Sequence, residues 1–146
     1  MMLPRRFALA ILVAVAAACG DPAGSERGTY VLRTVGDSTV PFVSYDGGTY
    51  RYFEVADTIA LDGRGGAREV SVTRTEYTGQ SPLTSTYATP RRYSMRGDTV
   101  DFVFTCPPDA ACVLQLAGYE LVTGGMATYA LDPTRPITTS FFERVR

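Results

Sequence analysis

From residue 28 onward the chain alternates short runs of β-branched and aromatic residues with turn residues, and no segment keeps a helical period for three turns. The clearest alternation sets Val100, Phe102 and Phe104 against Asp101, Val103 and Thr105. Ile59 and Leu61 alternate with Thr58, Ala60 and Asp62, Val70 and Val72 with Glu69, Ser71 and Thr73, and Tyr93 and Met95 with Arg92, Ser94 and Arg96. The apolar members of these sets are the expected core. The pattern predicts strands over 29–35, 40–45, 49–61 with a break near Ala56, 68–77, 86–95, 99–106, 112–117, 119–123, 126–131 and 139–145. Gly36-Asp37, Asp46-Gly47-Gly48, the run 62–66, Gly97-Asp98 and Gly124-Gly125 separate them with residues that tolerate the left-handed backbone of tight turns. The stretches 79–85 and 132–136 have loop composition. Many short strands at even spacing predict an all-β domain, an antiparallel meander closed as a barrel or folded as a sandwich.

The first 27 residues follow another rule. Arg5-Arg6 precede an unbroken apolar run, residues 7–18, that ends Ala16-Ala17-Ala18, and Cys19 follows at once. A charged start, a short apolar stretch and a small-residue cleavage site make a secretory signal. Twelve apolar residues span only about 18 Å as a helix, too short for a hydrocarbon core of roughly 30 Å. A cysteine at the cut, behind small residues, resembles the lipobox of bacterial lipoproteins. On that resemblance residues 1–18 are a signal peptide, and Cys19 becomes the acylated first residue that holds the protein to a membrane. Residues 19–27 form a polar tether, and residues 28–146 form the domain. The same resemblance places the protein in the bacterial cell envelope, at the outer membrane or periplasmic face. Gly20, where an aspartate would favour retention at the inner membrane, leans the same way.

Composition narrows the chemistry. Two of the 14 basic residues, Arg5 and Arg6, precede the cut, so 12 remain against 15 acidic residues and the exported part carries a net charge near −3. That surface does not suit nucleic acid, which demands clustered positive charge. The chain has no histidine, which removes the commonest general base, the commonest metal ligand and the usual partner of a nucleophile. No serine sits in a Gly-x-Ser-x-Gly elbow and no glycine run opens a helix as a phosphate loop. Glu54 with Asp57, and Asp98 with Asp101, read as solvated strand and turn faces, and Arg96-Gly97-Asp98 reads as a hairpin turn. The sequence thus reads as non-enzymatic, with no cofactor and no metal. Cys106 and Cys112 bracket a short loop with two prolines, which in an exported protein reads as a disulfide worth about 2 kcal/mol.

Gly28-Thr29-Tyr30-Val31-Leu32 with Val40-Pro41-Phe42, then residues 57–63, then Tyr93-Ser94-Met95-Arg96-Gly97-Asp98-Thr99-Val100, and the closing Phe141-Phe142-Glu143-Arg144 resemble the small lipocalin-like domains of bacterial lipoproteins. The resemblance covers nearly all of 28–146 and implies a lipocalin-like β-barrel of about eight to ten strands. It also implies a barrel-closing pair, with Tyr30 standing where lipocalins carry the tryptophan of Gly-x-Trp and Arg144 supplying the arginine stacked over it. Two readings of function stand at this point. One is a binding module for a small hydrophobic ligand or lipid, with Tyr50, Tyr52, Phe102, Phe104 and Tyr129 as the candidate lining among seven Phe and nine Tyr. The other is a structural or protein-interaction module of the envelope, with those aromatics filling the core.

Overall fold

A computed structural model describes residues 26–103 and 117–145, so Cys19, Phe104, Cys106 and Cys112 lie outside the described residues. Among the described residues there is no helix, and ten strands run in order: β1 (Gly28–Val35), β2 (Ser38–Thr39), β3 (Phe42–Asp46), β4 (Tyr50–Leu61), β5 (Gly66–Tyr77), β6 (Leu83–Arg96), β7 (Thr99–Val103), β8 (Ala117–Val122), β9 (Gly125–Ala130) and β10 (Ser140–Val145). All pairings are antiparallel. The sheet order is β2-β1-β10-β9-β8-β7-β6-β5-β4-β3, and β1 also pairs with β4. That last pairing, from Gly28 opposite Leu61 to Val31 opposite Thr58, closes β1 and β4–β10 into an eight-stranded barrel. β2 and β3 are additions at its two sheet ends. The all-β meander read from the sequence is therefore a closed barrel.

Turn chemistry sets these connections. The β4–β5 turn passes through Gly63 (φ 74°) and Gly65 (φ 89°), both in the left-handed region that favours glycine. At residues 79–85 the loop expectation fails in part, because β6 begins at Leu83. Leu83, Thr84 and Ser85 are held by cross-strand partners Thr75, Arg74 and Thr73, and pairing overrides their turn composition.

Eight side chains, each 5% exposed or less, form the core: Tyr30, Leu32, Ile59, Leu61, Tyr93, Val100, Met126 and Phe142. Of the expected core, Ile59, Leu61, Tyr93 and Val100 are in it, and Met95 and Phe102 pack half-buried against it. Val70 and Val72 are not in it. Directly opposed residues share a face of the sheet, and Ile59 opposes Glu69 while Leu61 opposes Ala67. β5 therefore turns Ala67, Glu69, Ser71 and Thr73 to the barrel interior and its valines outward. Alternation identified the two faces of β5, but only the register to Ile59 says which one faces in.

A second register feature shapes β4. A bulge between Glu54 and Ala56 shifts the pairing with β5, so the inward positions are 57, 59 and 61 below it and 54, 52 and 50 above it. β4 and β5 have 12 residues each and β6 has 14, against five or six in β7–β10, so the three long strands outrun the barrel. Their upper parts, with β3, form a four-stranded extension. Its outer face carries Phe53 under the guanidinium groups of Arg51 and Arg74, at 5.4 and 4.5 Å from the ring centroid. Glu76 joins those two arginines at 2.7 and 3.0 Å.

The opposite end of the barrel is plugged. Glu26 is buried there, although composition placed it in the tether. Its carbonyl accepts a hydrogen bond from the Tyr30 hydroxyl at 2.7 Å, and its carboxylate accepts one from the Tyr93 hydroxyl at 3.3 Å. The Tyr93 hydroxyl in turn accepts the Gly63 N–H at 3.0 Å. Tyr30 opposes Arg144 in register, and the Arg144 guanidinium packs on Gly28 and donates to the Arg27 carbonyl. Among the described residues, the cation–π contacts are those of Phe53.

At Gly125 a methyl group would collide with the carbonyl oxygen of Phe142 on β10, so β9 and β10 meet there only without a side chain. Replacing Gly125 by Ala is expected to destabilise the fold by about 1–3 kcal/mol. Met126→Ala, next to it and fully buried, should cost about 2–5 kcal/mol through the cavity it leaves. Urea titrations followed by circular dichroism test both, and a Gly125→Ala midpoint equal to wild type would refute the close approach.

Candidate polar site inside the barrel

The barrel is filled in its lower half and polar in its middle. Above Ile59 and Leu61, the inward positions of three adjacent strands are Asp57 on β4, Glu69 and Ser71 on β5, and Arg91 on β6. The Arg91 Nε donates to Glu69, and the Ser71 hydroxyl donates to Asp57 at 3.2 Å. Tyr119 comes from β8, inward because it opposes Val100 of the core. An aromatic row borders this region, with Phe102 and Tyr119 between the sealed core rings of Tyr93 and Phe142 and successive ring centroids 6.4, 5.1 and 6.1 Å apart. The Phe102 and Tyr119 rings meet nearly edge to face, at 84°.

Water reaches these inward groups. The side chain of Glu69 is 17% exposed and that of Arg91 32%, whereas the core residues below them are sealed. This ion pair faces inward and yet stays within reach of solvent.

The charges of the cluster act on one another. Burial pushes the Asp57 carboxyl up to about 6, and the nearby Glu69 charge pushes the same way, against the Ser71 hydrogen bond and Arg91. Glu54, on the inward side above the bulge, is raised by burial and then by Asp57 and Glu69. The Tyr119 hydroxyl is pushed up to about 12, by burial first and then by Glu69 and Asp57. It therefore stays a neutral hydroxyl, a donor and acceptor, at any ordinary pH. Three carboxylates face one guanidinium, so the site offers acceptors in excess with a single strong donor group. Among the described residues no three His, Cys, Asp or Glu side chains come close enough together to hold a metal ion.

The candidate lining residues separate in space. Phe102 lies in the aromatic wall. Tyr50 and Tyr52 lie on the inward side of β4 but above the bulge, on the extension rather than in the barrel. Tyr129 does not line the interior: β9 faces inward at Met126 and Thr128, and Tyr129 covers Gly118 from outside. Glu54 and Asp57, read from sequence as solvated, face inward. From sequence, Glu69 and Ser71 read as the polar face of their strand, and Arg91 and Tyr119 take no role in a site. The signal of the first two was a charged or hydroxyl residue at alternate positions of β5, which alternation alone assigns to solvent.

No protein-family model matches the chain, and no similar curated protein or solved structure is found.

The raised Asp57 fixes a pH dependence. Its folded value, about 6, lies above the ordinary aspartate value of 3.8, so between these limits the folded state holds more protons than the unfolded chain. The neutral form is the favoured one in the fold, and stability from this group falls as pH rises from about 4 to 6. Asp57→Asn keeps an acceptor for Ser71 and removes that loss. The variant should match wild type near pH 4 and exceed it in melting temperature at pH 7–8; equal differences at both pH values would refute the assignment.

Proposed function

We propose that this protein is a membrane-tethered, non-enzymatic binding protein of the bacterial envelope whose lipocalin-like barrel holds a small molecule against the Asp57–Glu69–Arg91–Tyr119 cluster. The observation that carries this reading is the solvent-reachable Glu69–Arg91 pair facing inward above a filled apolar floor. Polar groups of several strands converging in an aromatic-walled opening are the usual form of a small-molecule site. A wholly apolar ligand fits this site poorly, since it would strip water from the ion pair and return no hydrogen bond. The ligand is instead amphipathic, with a polar head for Arg91, Tyr119 and the carboxylates, and a less polar body against Phe102.

The tether reading agrees with this geometry. The chain enters the domain at Glu26, at the plugged end, while the polar cluster lies toward the other and is reached by solvent. The seven residues from Cys19 to that point reach roughly 15 Å. An acylated Cys19 would thus hold the closed end toward the membrane and turn the opening to the aqueous side, where the ligand is exchanged.

The reading is tested by native mass spectrometry of protein purified from cell envelopes without delipidation. Wild type should carry a co-purifying small molecule. The paired substitution Glu69→Gln with Arg91→Gln should lower its occupancy at least tenfold while circular dichroism stays unchanged. A wild-type protein that is free of ligand, with no thermal shift across an amphiphile panel, would sink the proposal. The same spectra report the N-terminus: the expected mass is that of a chain beginning at acylated Cys19, and a bare Cys19 or another start would remove the anchor.

A further inference from the structure

The inner face of the barrel wall does not end at the opening. It continues over the extension, where the bulge in β4 keeps Tyr50 and Tyr52 on the same side as Asp57. Tyr50 opposes Tyr77, and the rings of Tyr45, Tyr50 and Tyr77 stand in a row with centroids 5.1 and 5.7 Å apart. On β6 the same face carries Leu83, opposite Thr75, and Tyr87, opposite Ser71. Tyr45, Leu83 and Tyr87 are 51%, 60% and 59% exposed, although they lie on the side of the sheet that forms the barrel interior. The polar positions between them are Thr73, Thr75 and Ser85, and Glu54 is the one charged residue among these. Apart from Glu54 the face is uncharged, aromatic and hydroxyl-bearing. From Tyr77 to Glu69 is eight residues of one strand, roughly 26 Å at about 3.3 Å per residue.

The order of polarity along this surface is the reverse of a simple greasy pocket. The floor is apolar and full, the middle is polar and wet, and the rim is aromatic. A ligand whose head sits at the polar cluster has no space for a chain below it, so its chain must run upward. Accepting the barrel site proposed above, we infer that its ligand is an elongated single-chain amphiphile with a neutral, hydroxyl-bearing head. The head is held at Glu69, Arg91 and Tyr119, and the chain lies along the tyrosine face of β4–β6. A hydroxyl-bearing head suits the cluster because it donates to the carboxylates while its oxygens accept from Arg91 and Tyr119. The tyrosine rings cover a hydrocarbon chain and keep their hydroxyls in water.

The test is calorimetric titration of the folded domain with monoacylglycerols of 8 to 16 carbons, kept below their aggregation concentrations. Affinity should rise by about twofold for each methylene laid on the open face, against roughly fourfold for one fully buried. Tyr50→Ser combined with Tyr77→Ser and Leu83→Ser, all on exposed positions, should flatten that rise and leave the shortest member bound as in wild type. The chain has no tryptophan, so its emission comes from its tyrosines, and the part of the ligand-induced change that the triple variant removes should appear with long members only. Binding without chain-length dependence, or a slope unaltered in the triple variant, overturns this inference and leaves the barrel site standing. Binding of a peptide or polysaccharide to the tyrosine face, unaffected by Glu69→Gln with Arg91→Gln, overturns it as well. Loss of all binding in wild type would instead sink the barrel site itself.

Discussion

One extra residue in β4 decides what the interior of this protein presents. With the bulge between Glu54 and Ala56, the inward side of the strand reads Tyr50, Tyr52 and Glu54, then Asp57, Ile59 and Leu61. Without it, strict alternation from Ile59 and Asp57 would bring Val55, Phe53 and Arg51 inward and send the tyrosines out. Phe53 and Arg51 would then face the groove while Arg74 and Glu76 on β5 stayed outside, so the cation–π stack and the ion pairs that join these four residues would be broken. The bulge places that network on the outside, where solvent can reach it. It also makes one continuous inner surface out of two strand halves of opposite phase.

The barrel then divides by height. Its lower half is a conventional packed interior, closed at the end by Glu26, Tyr30 and Tyr93. Just above, the protein places Asp57 beside Glu69, where burial and the neighbouring charge both oppose ionisation. That arrangement lowers stability near neutral pH, and apolar residues of similar size would fill the space at less cost. Groups held in unfavourable protonation states inside an opening are where binding and chemistry are most often found. The local conflict between a barrel interior and a charged strand is therefore informative, because consistency holds nearly everywhere else in the fold.

Much of the fold was legible in the sequence, and the reason is local. Turn glycines such as Gly63, Gly97 and Gly124 mark hairpins by their own backbone preference, and β-branched and aromatic runs mark the strands between them. Even the break in β4 near Ala56 left a trace. The candidate site was far less legible, because inward and outward are properties of pairing rather than of a residue. Glu69 and Ser71 look like the solvent face of a strand whose valines face the core, and only their opposition to Ile59 and Asp57 reverses that. Tyr129 fails for the same reason in the opposite sense. Its phase along β9 is fixed by Met126 and Thr128, which face in, so a residue with every composition mark of a cavity wall lies outside against Gly118.

The same phase argument separates two kinds of aromatic residue that composition cannot tell apart. Tyr30, Tyr93 and Phe142 are sealed, and their rings are spent on closing and packing the barrel. Tyr45, Tyr77 and Tyr87 lie on the inner side of the sheet yet remain open to water. A packed barrel of this size has no need of the second group, since its floor is already complete without them. Half-exposed rings contribute less to folding than sealed ones and add a risk of association, which a molecule lying over them would remove. Because that surface runs without a break into the polar cluster, one molecule can satisfy both, and an amphiphile is the simplest chemical form with a polar end for the cluster and a chain for the tyrosines.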